Sequence, residues 1–404
     1  MNATEQIIFW ADIIPKEWEK EVNECSKKNM VDAANALEWN LLKGLENNTK
    51  KSIMVINTLP VGSYPRYYSK PFIQRSLFMV SSQLNIAELG FCNIKLIRKI
   101  SIANALYQET CKILKKNSKA TTIYIYSASS VYLSVFRRIK RRFPNVKSCM
   151  IIADLPGMTN LSRKKPISLR LYEKFTLGKT WNDLTLLDCF VFLTKYMRDY
   201  LKIDRPYCVM EGIASDSPKA NVVEKREKTI LYTGTLHQKF GVLNLVKAFG
   251  QIENPNYRLV ICGIGDSERA IQEAAENDSR ISFLGQLPRK EVLEWQKKAT
   301  VLVNPRQNNE EFTKYSFPSK TMEYLSSGIP VVAYKLDGIP DEYDRYIQYV
   351  EDDSIESLQK KLTAVCELPL EERRKLGEAG RNFALTEKNS TVQVKKIVEM
   401  VDSL

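Results

Sequence analysis

The sequence predicts an α/β protein built from two successive doubly wound parallel sheets, and three observations carry that expectation. Short apolar runs of strand length alternate with stretches of helix length along most of the chain. Several runs, such as CMIIA at 149–153 and CFVFLT at 189–194, are apolar throughout, as in strands buried on both faces of a parallel sheet. The alternation breaks at a polar stretch, ASDSPKANVVEKRE at 214–227, and then restarts. At 404 residues the chain is too long for one ordinary core. The expected layout is a Rossmann-like domain over 1–213, a linker at 214–227, a second such domain over 228–385 and a terminal helix at 386–404.

Taken in order, IIFWADIIP (7–15) is a strand, then a polar loop and a helix near 31–46 whose apolar face holds Val31, Leu37 and Leu41 to Leu45. SIMVINTLP (52–60) is the next strand and runs into an aromatic loop with Gly62 and two prolines. A helix near 98–116, a strand at 121–129, a helix at 130–142 and a strand at 149–158 follow, the last carrying Asp154. Runs at 189–194 and 208–213 close the first half. In the second half, strands are expected at 229–236, 257–265, 281–287, 301–305, 330–334 and 346–350. Val242–Gly250 and Arg289–Ala299 fit as helices between them, and Val394, Ile397, Val398 and Val401 form one stripe of a final helix.

Composition removes several function classes. No apolar run approaches the roughly 20 residues of a membrane span. The first apolar run is broken by Asp12, which suits a strand better than a signal peptide, so a cytoplasmic protein is expected. Eight scattered cysteines with no C-x-x-C, and one histidine, argue against a zinc site and for core thiols in a reducing compartment. The net charge of +13 implies acidic partners: anionic lipid, nucleic acid or phosphate-bearing substrates. No helix-turn-helix, RRM or zinc pattern supports nucleic acid.

The most informative stretch is Val301–Ala333, VLVNPRQNNEEFTKYSFPSKTMEYLSSGIPVVA. It reads as strand, polar loop, helix, strand, with Pro318 before the first helical turn and Gly328 after the last. The helix N-terminus then points out of the sheet's carboxyl edge, where free N–H groups favour a phosphate. Lys320 in the first turn opposes the helix dipole, so an anion is expected beside it. One turn in, Glu323 is placed to take two hydroxyls of a ribose.

These residues resemble the donor-binding signature of the retaining, metal-independent glycosyltransferases of family 4, also called group 1. Phe317, Glu323 and Gly328-Ile329-Pro330-Val331-Val332 match that signature. Its other glutamate, eight positions earlier, is replaced by Tyr315, and Pro318 stands where the family has glycine. Glu311 is the nearest upstream carboxylate that could substitute. The resemblance is strong over about 225–385 and implies the two-domain fold called GT-B, two Rossmann-like domains facing a cleft, with the C-terminal helix crossing back to the first. The first domain would bind the acceptor and the second the nucleotide sugar.

The resemblance also assigns roles by position. Gly234 and the loop TLHQKFG would lie under the donor diphosphate, with Thr235 in the place of the family's arginine and Lys239 one residue from its lysine. Arg306 and Lys320 are possible compensation, and Ser316, Phe317, Ser319 and Thr321 complete the donor set. Gly263 and Gly265 form a strand-to-helix turn that would border the base, and Gly62 would let a diphosphate approach the first domain. Asp154 would orient an acceptor hydroxyl or act as its base, with Ala153 in the place of the family's histidine. The plainer readings are a solvated lysine at 239, tight-turn glycines at 62, 263 and 265, and a helix-capping aspartate at 154. His237 reads as a surface histidine.

Two basic clusters, 137–142 and 163–165, suit an anionic bilayer, although the stripe Tyr132, Phe136, Ile139, Phe143 is most simply a core face. The functional expectation is transfer of a sugar, with retention and without metal, from a nucleotide diphosphate donor to a sugar or lipid-linked acceptor in surface polysaccharide assembly. No cofactor is expected beyond the nucleotide sugar as co-substrate. Two other classes stay open: a non-catalytic GT-B partner subunit, for which Tyr315 argues, and a nucleotide-sugar epimerase, against which the single histidine argues.

Overall fold

The computed structural model describes residues 5–27, 32–117, 121–155, 178–215, 219–220 and 226–404. Val31, residues 156–158 of the 149–158 run, the cluster 163–165 and most of 214–227 lie outside them. The chain divides into two units: Met1–Glu211 with Ser390–Leu404, and Gly212–Asn389.

The first unit holds strands β1 (Gln6–Ala11), β2 (Ser52–Asn57), β3 (Phe72–Ile73), β4 (Ser76–Met79), β5 (Leu84–Glu88), β6 (Phe91–Cys92), β7 (Thr121–Tyr126), β8 (Lys147–Ile152), β9 (Cys189–Phe192) and β10 (Tyr207–Val209). Eight of them form one sheet in the order β10-β9-β8-β7-β1-β2-β5-β4, parallel except for the edge strand β4. Its helices include α1 (Lys16–Cys25), α2 (Asp32–Asn48), α3 (Arg98–Asn117), α4 (Ser130–Arg142) and α5 (Lys195–Leu201). Besides the short strands β3, β4 and β6, two elements differ from expectation. The supposed loop after β1 contains α1, which starts after Pro15 and buries Trp18 and Val22. β5 was hidden because its run LNIAE carries Asn85 and ends on Glu88, yet it is an inner strand with Glu88 fully buried.

The second unit holds β11 (Lys228–Thr233), β12 (Tyr257–Cys262), β13 (Ile281–Phe283), β14 (Val301–Asn304), β15 (Val331–Ala333) and β16 (Ile347–Tyr349), all parallel, in the order β13-β12-β11-β14-β15-β16. Its helices include α6 (Val242–Gly250), α7 (Glu268–Asn277), α8 (Arg289–Lys298), α9 (Ser319–Ser327), α10 (Ile355–Glu367) and α11 (Leu370–Glu387). The final helix α12 (Ser390–Asp402) belongs to the first unit, as the expected crossing back requires. It buries Val394, Ile397 and Val401 against α2, so closely that a Cβ on Gly44 would lie 2.3 Å from Val394 Cγ2. Lys51 Nζ, just past α2, pairs with Asp402 at 2.9 Å.

Both sheets have a switch point, where the strand order reverses and the carboxyl ends of adjacent strands part. In the first unit it lies at β1, between β7 and β2; in the second it lies between β11 and β14. The helix α9 is held at the second by α11, which approaches it without a side chain in between. A Cβ on Gly377 would stand 1.9 Å from the Gly328 carbonyl oxygen. Helix propensity alone would make Gly377→Ala stabilising by about 1 kcal/mol. The close approach predicts the opposite sign, a loss of about 1–3 kcal/mol from forced backbone shifts, read in thermal unfolding.

Candidate active site

The second unit gathers most of the expected donor residues at the parted ends of β11 and β14. Gly234, Thr235 and Lys239 lie in the loop after β11, and Arg306 follows β14. The loop ends in a short 3-10 turn, Gln238–Phe240, and Gly241 takes φ +78° to enter α6. A Cβ at Gly241 would sit 1.9 Å from the Pro305 carbonyl oxygen, so this position needs glycine to bring the two loops together. The Arg306 guanidinium lies 4.0 Å from the Phe240 ring centroid and 5.5 Å from that of Phe312. Burial lowers its pKa to about 10. Its Nε is buried and has no hydrogen-bond partner among the described residues, and the same holds for Ser316 Oγ.

Glu323 sits one turn into α9 and is largely buried. Lys320 Nζ donates to its Oε1 at 2.8 Å, and Gln296 Nε2 of α8 donates to the same oxygen. Arg289 Nη2 is 4.0 Å from Oε2. Burial pushes the Glu323 carboxyl up, but Lys320, Gln296 and Arg289 outweigh it, so its pKa falls below the ordinary glutamate value. The anion expected beside Lys320 is thus Glu323 itself. The N-cap, Pro318, supplies no side-chain hydrogen bond, which leaves the first amides of α9 at Ser319 and Lys320 for another acceptor.

The remaining expected residues are placed as follows. Lys239 Nζ pairs with Glu310 Oε2 at 3.2 Å, while the neighbouring Glu311 opens the 3-10 turn Glu311–Tyr315 and is exposed. Tyr315 is half-buried at the end of that turn. Phe317 is a core residue, its ring 5.4 Å from Tyr343, and Thr321 is buried in α9. Gly263 is tight packing: its N–H donates to Gly285 O at 2.8 Å, and a Cβ would stand 1.8 Å from Gly234 O. Gly265 packs likewise on the Leu236 backbone. His237, set aside in the sequence, joins the loops, with Nε2 3.3 Å from Asp266 Oδ2 and Nδ1 accepting from Lys239 N. Gln296 was missed entirely; a polar side chain inside a helix of lysines and glutamates gives no sign that it is buried.

In the first unit, Gly62, Ala153 and Asp154 come together at the carboxyl ends of β2 and β8, where they line a cavity of about 510 Å³ with Asp12, Asn35, Glu38, Tyr67 and Tyr126. A Cβ at Gly62 would meet Tyr67 Cβ at 2.3 Å. Burial raises the Asp154 pKa. It also raises Asp12 to about 6, with a hydrogen bond from Tyr132 and the charge of Arg98 acting the other way. Behind the cavity, Glu88 accepts from Asn57 Nδ2 and Leu59 N, yet burial still brings it to about 8.

The helix α4 keeps its basic residues for its own unit. Arg137 pairs with Asp183, Lys140 with Asp188, and Arg138 and Arg142 contact Tyr107. Its apolar stripe, Tyr132, Phe136 and Ile139, is buried. Among the described residues no helix is long and apolar enough to cross a membrane, and no cluster of three metal-ligating side chains occurs.

With that geometry established, residues 214–383 match the family of glycosyl transferases group 1. The second unit therefore carries a group 1 glycosyltransferase domain. The fold of the whole chain is that of GT-B glycosyltransferases. It is similar to sucrose-phosphate synthase from Thermosynechococcus elongatus, at 15% identity and TM-score 0.67, over 98% of both chains. It is also similar to a trehalose-6-phosphate structure from E. coli bound with UDP-2-fluoro glucose, at 9% identity and TM-score 0.66, over 99% of both chains. HepE of Anabaena in complex with UDP aligns at 12% identity and TM-score 0.60, over 99% of this chain and 100% of that one. No curated protein sequence matches the chain significantly.

The raised carboxyls fix a pH dependence. A carboxyl whose folded pKa lies above its unfolded value stabilises the fold below the unfolded pKa, and that contribution is lost as pH rises through the folded pKa. For Glu88 the window runs from the ordinary 4.5 to about 8. Stability of the first unit should fall between pH 5 and 8 by a few kcal/mol, on the order of 3. Glu88→Gln should flatten the slope; an equally steep slope in the variant assigns the effect elsewhere.

Proposed function

We propose that the chain is a retaining, metal-independent glycosyltransferase that moves a sugar from a nucleoside diphosphate donor to a sugar acceptor in glycan assembly. One observation carries the donor half. At the switch point of the second sheet, Arg306 Nε and Ser316 Oγ are buried without partners among the described residues, beside an α9 N-terminus that no described side chain caps. Buried polar atoms are normally satisfied, and positive groups with free amides suit a phosphate. Glu323, kept ionised and with Oε1 already engaged, turns Oε2 to the ribose hydroxyls. UDP heads the candidate nucleotides because solved structures of similar fold hold UDP or UDP-2-fluoro glucose.

Chemically, the sugar–phosphate bond breaks with its electrons going to the diphosphate, so stabilising that anion is the chief electrostatic task. Arg306, Lys239 and the Ser319 and Lys320 amides supply positive potential where it develops. Lys239 is held by Glu310, and a diphosphate competes with that carboxylate for it. In the first unit Asp154, whose raised pKa suits proton acceptance, orients or deprotonates the acceptor hydroxyl. A lipid-linked acceptor at an anionic membrane rests on the net charge of +13 alone, since most basic residues of 137–142 already have partners.

At about 100 times its dissociation constant, UDP should stabilise the fold by roughly 2.7 kcal/mol in a melting experiment. If UDP, GDP, ADP, CDP and TDP all leave the melting temperature unchanged at millimolar levels, the donor reading is lost. Glu323→Gln should weaken nucleotide binding more than about tenfold, the worth of a hydrogen bond to a charged group. Glu311→Gln should instead lower turnover with nucleotide affinity kept, because its proposed partner is the donor sugar. Wild-type turnover in the Glu310→Gln/Glu311→Gln double variant would move that role to Tyr315, with Tyr315→Phe as the deciding measurement. Transfer should also persist in EDTA; loss restored by magnesium or manganese overturns metal independence.

A further inference from the structure

The cavity of the first unit has a chemistry that proton acceptance by Asp154 does not exhaust. At about 510 Å³ it has the size of a small-molecule site. Three carboxyl groups line it, on Asp12, Glu38 and Asp154, together with Asn35 and the rings of Tyr67 and Tyr126, and burial with the neighbouring Asp12 charge holds Glu38 well above the ordinary glutamate range. Glu38 is fully buried. Its Oε2 accepts from Asp12 N at 2.8 Å, but its Oε1 has no partner among the described residues. Among the described residues nothing satisfies that oxygen, and a buried carboxyl oxygen left without a donor is costly. Among the described residues no lysine or arginine lines the cavity; Arg98, which donates to Val61 O at 2.8 Å, acts on Asp12 through its charge.

Those facts discriminate between ligands. A phosphate entering the cavity would place its charge beside the carboxyls of Asp12, Glu38 and Asp154, and among the described residues no cation lines the cavity to offset it. An ammonium group would give Glu38 Oε1 the donor it lacks, as a charge-assisted hydrogen bond. The tyrosine rings and Asn35 then meet the apolar faces and hydroxyls of a sugar ring. We propose that this cavity selects an acceptor sugar bearing a protonated amine and turns away one bearing a phosphate, with Glu38 as the residue that sets the choice. The identity of the ligand as an acceptor rests on the glycosyltransferase reading; its charge preference does not.

The test is saturation-transfer NMR on the full chain at pH 7, with D-glucosamine, D-glucose and D-glucose 6-phosphate as probes. UDP is followed separately by thermal shift. D-glucosamine should bind about tenfold more tightly than D-glucose, and D-glucose 6-phosphate should give no transfer. Glu38→Gln should bring D-glucosamine and D-glucose to equal affinity. Should that variant fail to fold, Ala153→Leu, which fills the cavity from another strand end, should abolish D-glucosamine binding while keeping the UDP shift. Equal binding of D-glucose 6-phosphate and D-glucosamine, or an unchanged preference in folded Glu38→Gln, overturns the proposal. A UDP shift without D-glucosamine binding overturns it as well and leaves the donor reading standing. Selective D-glucosamine binding without any nucleotide shift supports the cavity's preference and removes the donor reading instead.

Discussion

In each unit the structure depends on how the chain ends its central strand where the neighbouring strand departs. β11 pairs with β14 only through Ile230 and Leu231, yet continues to Thr233 along β12. The Thr233 N–H and C=O therefore face a gap. Tyr324 of α9 fills it: its hydroxyl accepts from Thr233 N at 2.9 Å and donates to Thr233 O at 3.0 Å. A single buried oxygen replaces one rung of the ladder, so the gap costs no unsatisfied backbone group. In the first unit Tyr132 of α4 does similar work at the end of β1, its hydroxyl 3.0 Å from Ala11 O and 2.7 Å from Asp12 Oδ1. Both tyrosines are buried; Thr233 relies on the Tyr324 phenol, whereas Ala11 O also accepts from Thr58 N at 2.9 Å.

What that constraint positions in the second unit follows directly. Fixing Tyr324 to β11 fixes the helix that carries it, and Glu323 and Lys320 ride on the same turn. Gln296 ties Glu323 to the same strand end, because its Nε2 also lies 3.2 Å from Thr233 Oγ1. The glycines at 241 and 263 let the loops after β11, β12 and β14 close on one another, backbone to backbone. Arg306 is then left stacked on Phe240 and Phe312, with its Nε directed at none of these groups. A rigid frame around a buried cation whose Nε lacks a partner among the described residues is what the proposed anion site requires, since reorganisation is then not needed when charge appears.

Much of this was legible in the sequence, and the rest was hidden for definite reasons. Parallel strands announce themselves by unbroken apolar runs, and the strand–loop–helix–strand order around Ser319 follows from Pro318 and Gly328. β5 escaped because a buried glutamate at its end is held by Asn57 and the Leu59 amide, partners more than twenty residues away. Lys320 was correctly expected to need an anion, but local sequence does not say whether a ligand or Glu323, three residues on, supplies it. Glu310 rather than Glu311 meets Lys239, a distinction of one residue that a 3-10 turn decides. Gln296, Tyr324 and Glu38 are invisible for a common reason: each looks like a helix-surface or core residue until the distant group it serves is placed.

The two switch points also show how little of the chemistry the fold itself determines. Both gaps arise from the same reversal of strand order, and both are bridged by a tyrosine hydroxyl from a following helix. Yet the second unit fills its gap with Arg306, Lys239 and Lys320 around one ionised glutamate, whereas the first fills its own with Asp12, Glu38 and Asp154. Desolvation acts on both sets with opposite consequence. It depresses the buried arginine, which an incoming anion would restore, and it raises the buried carboxyls, which an incoming proton donor would lower again. Burial thus leaves groups of opposite character at the two strand ends, a cation in the second unit and carboxyls in the first. Two successive Rossmann-like units, alike in topology, are made different by the side chains at their strand ends, and it is on those side chains that the proposed function rests.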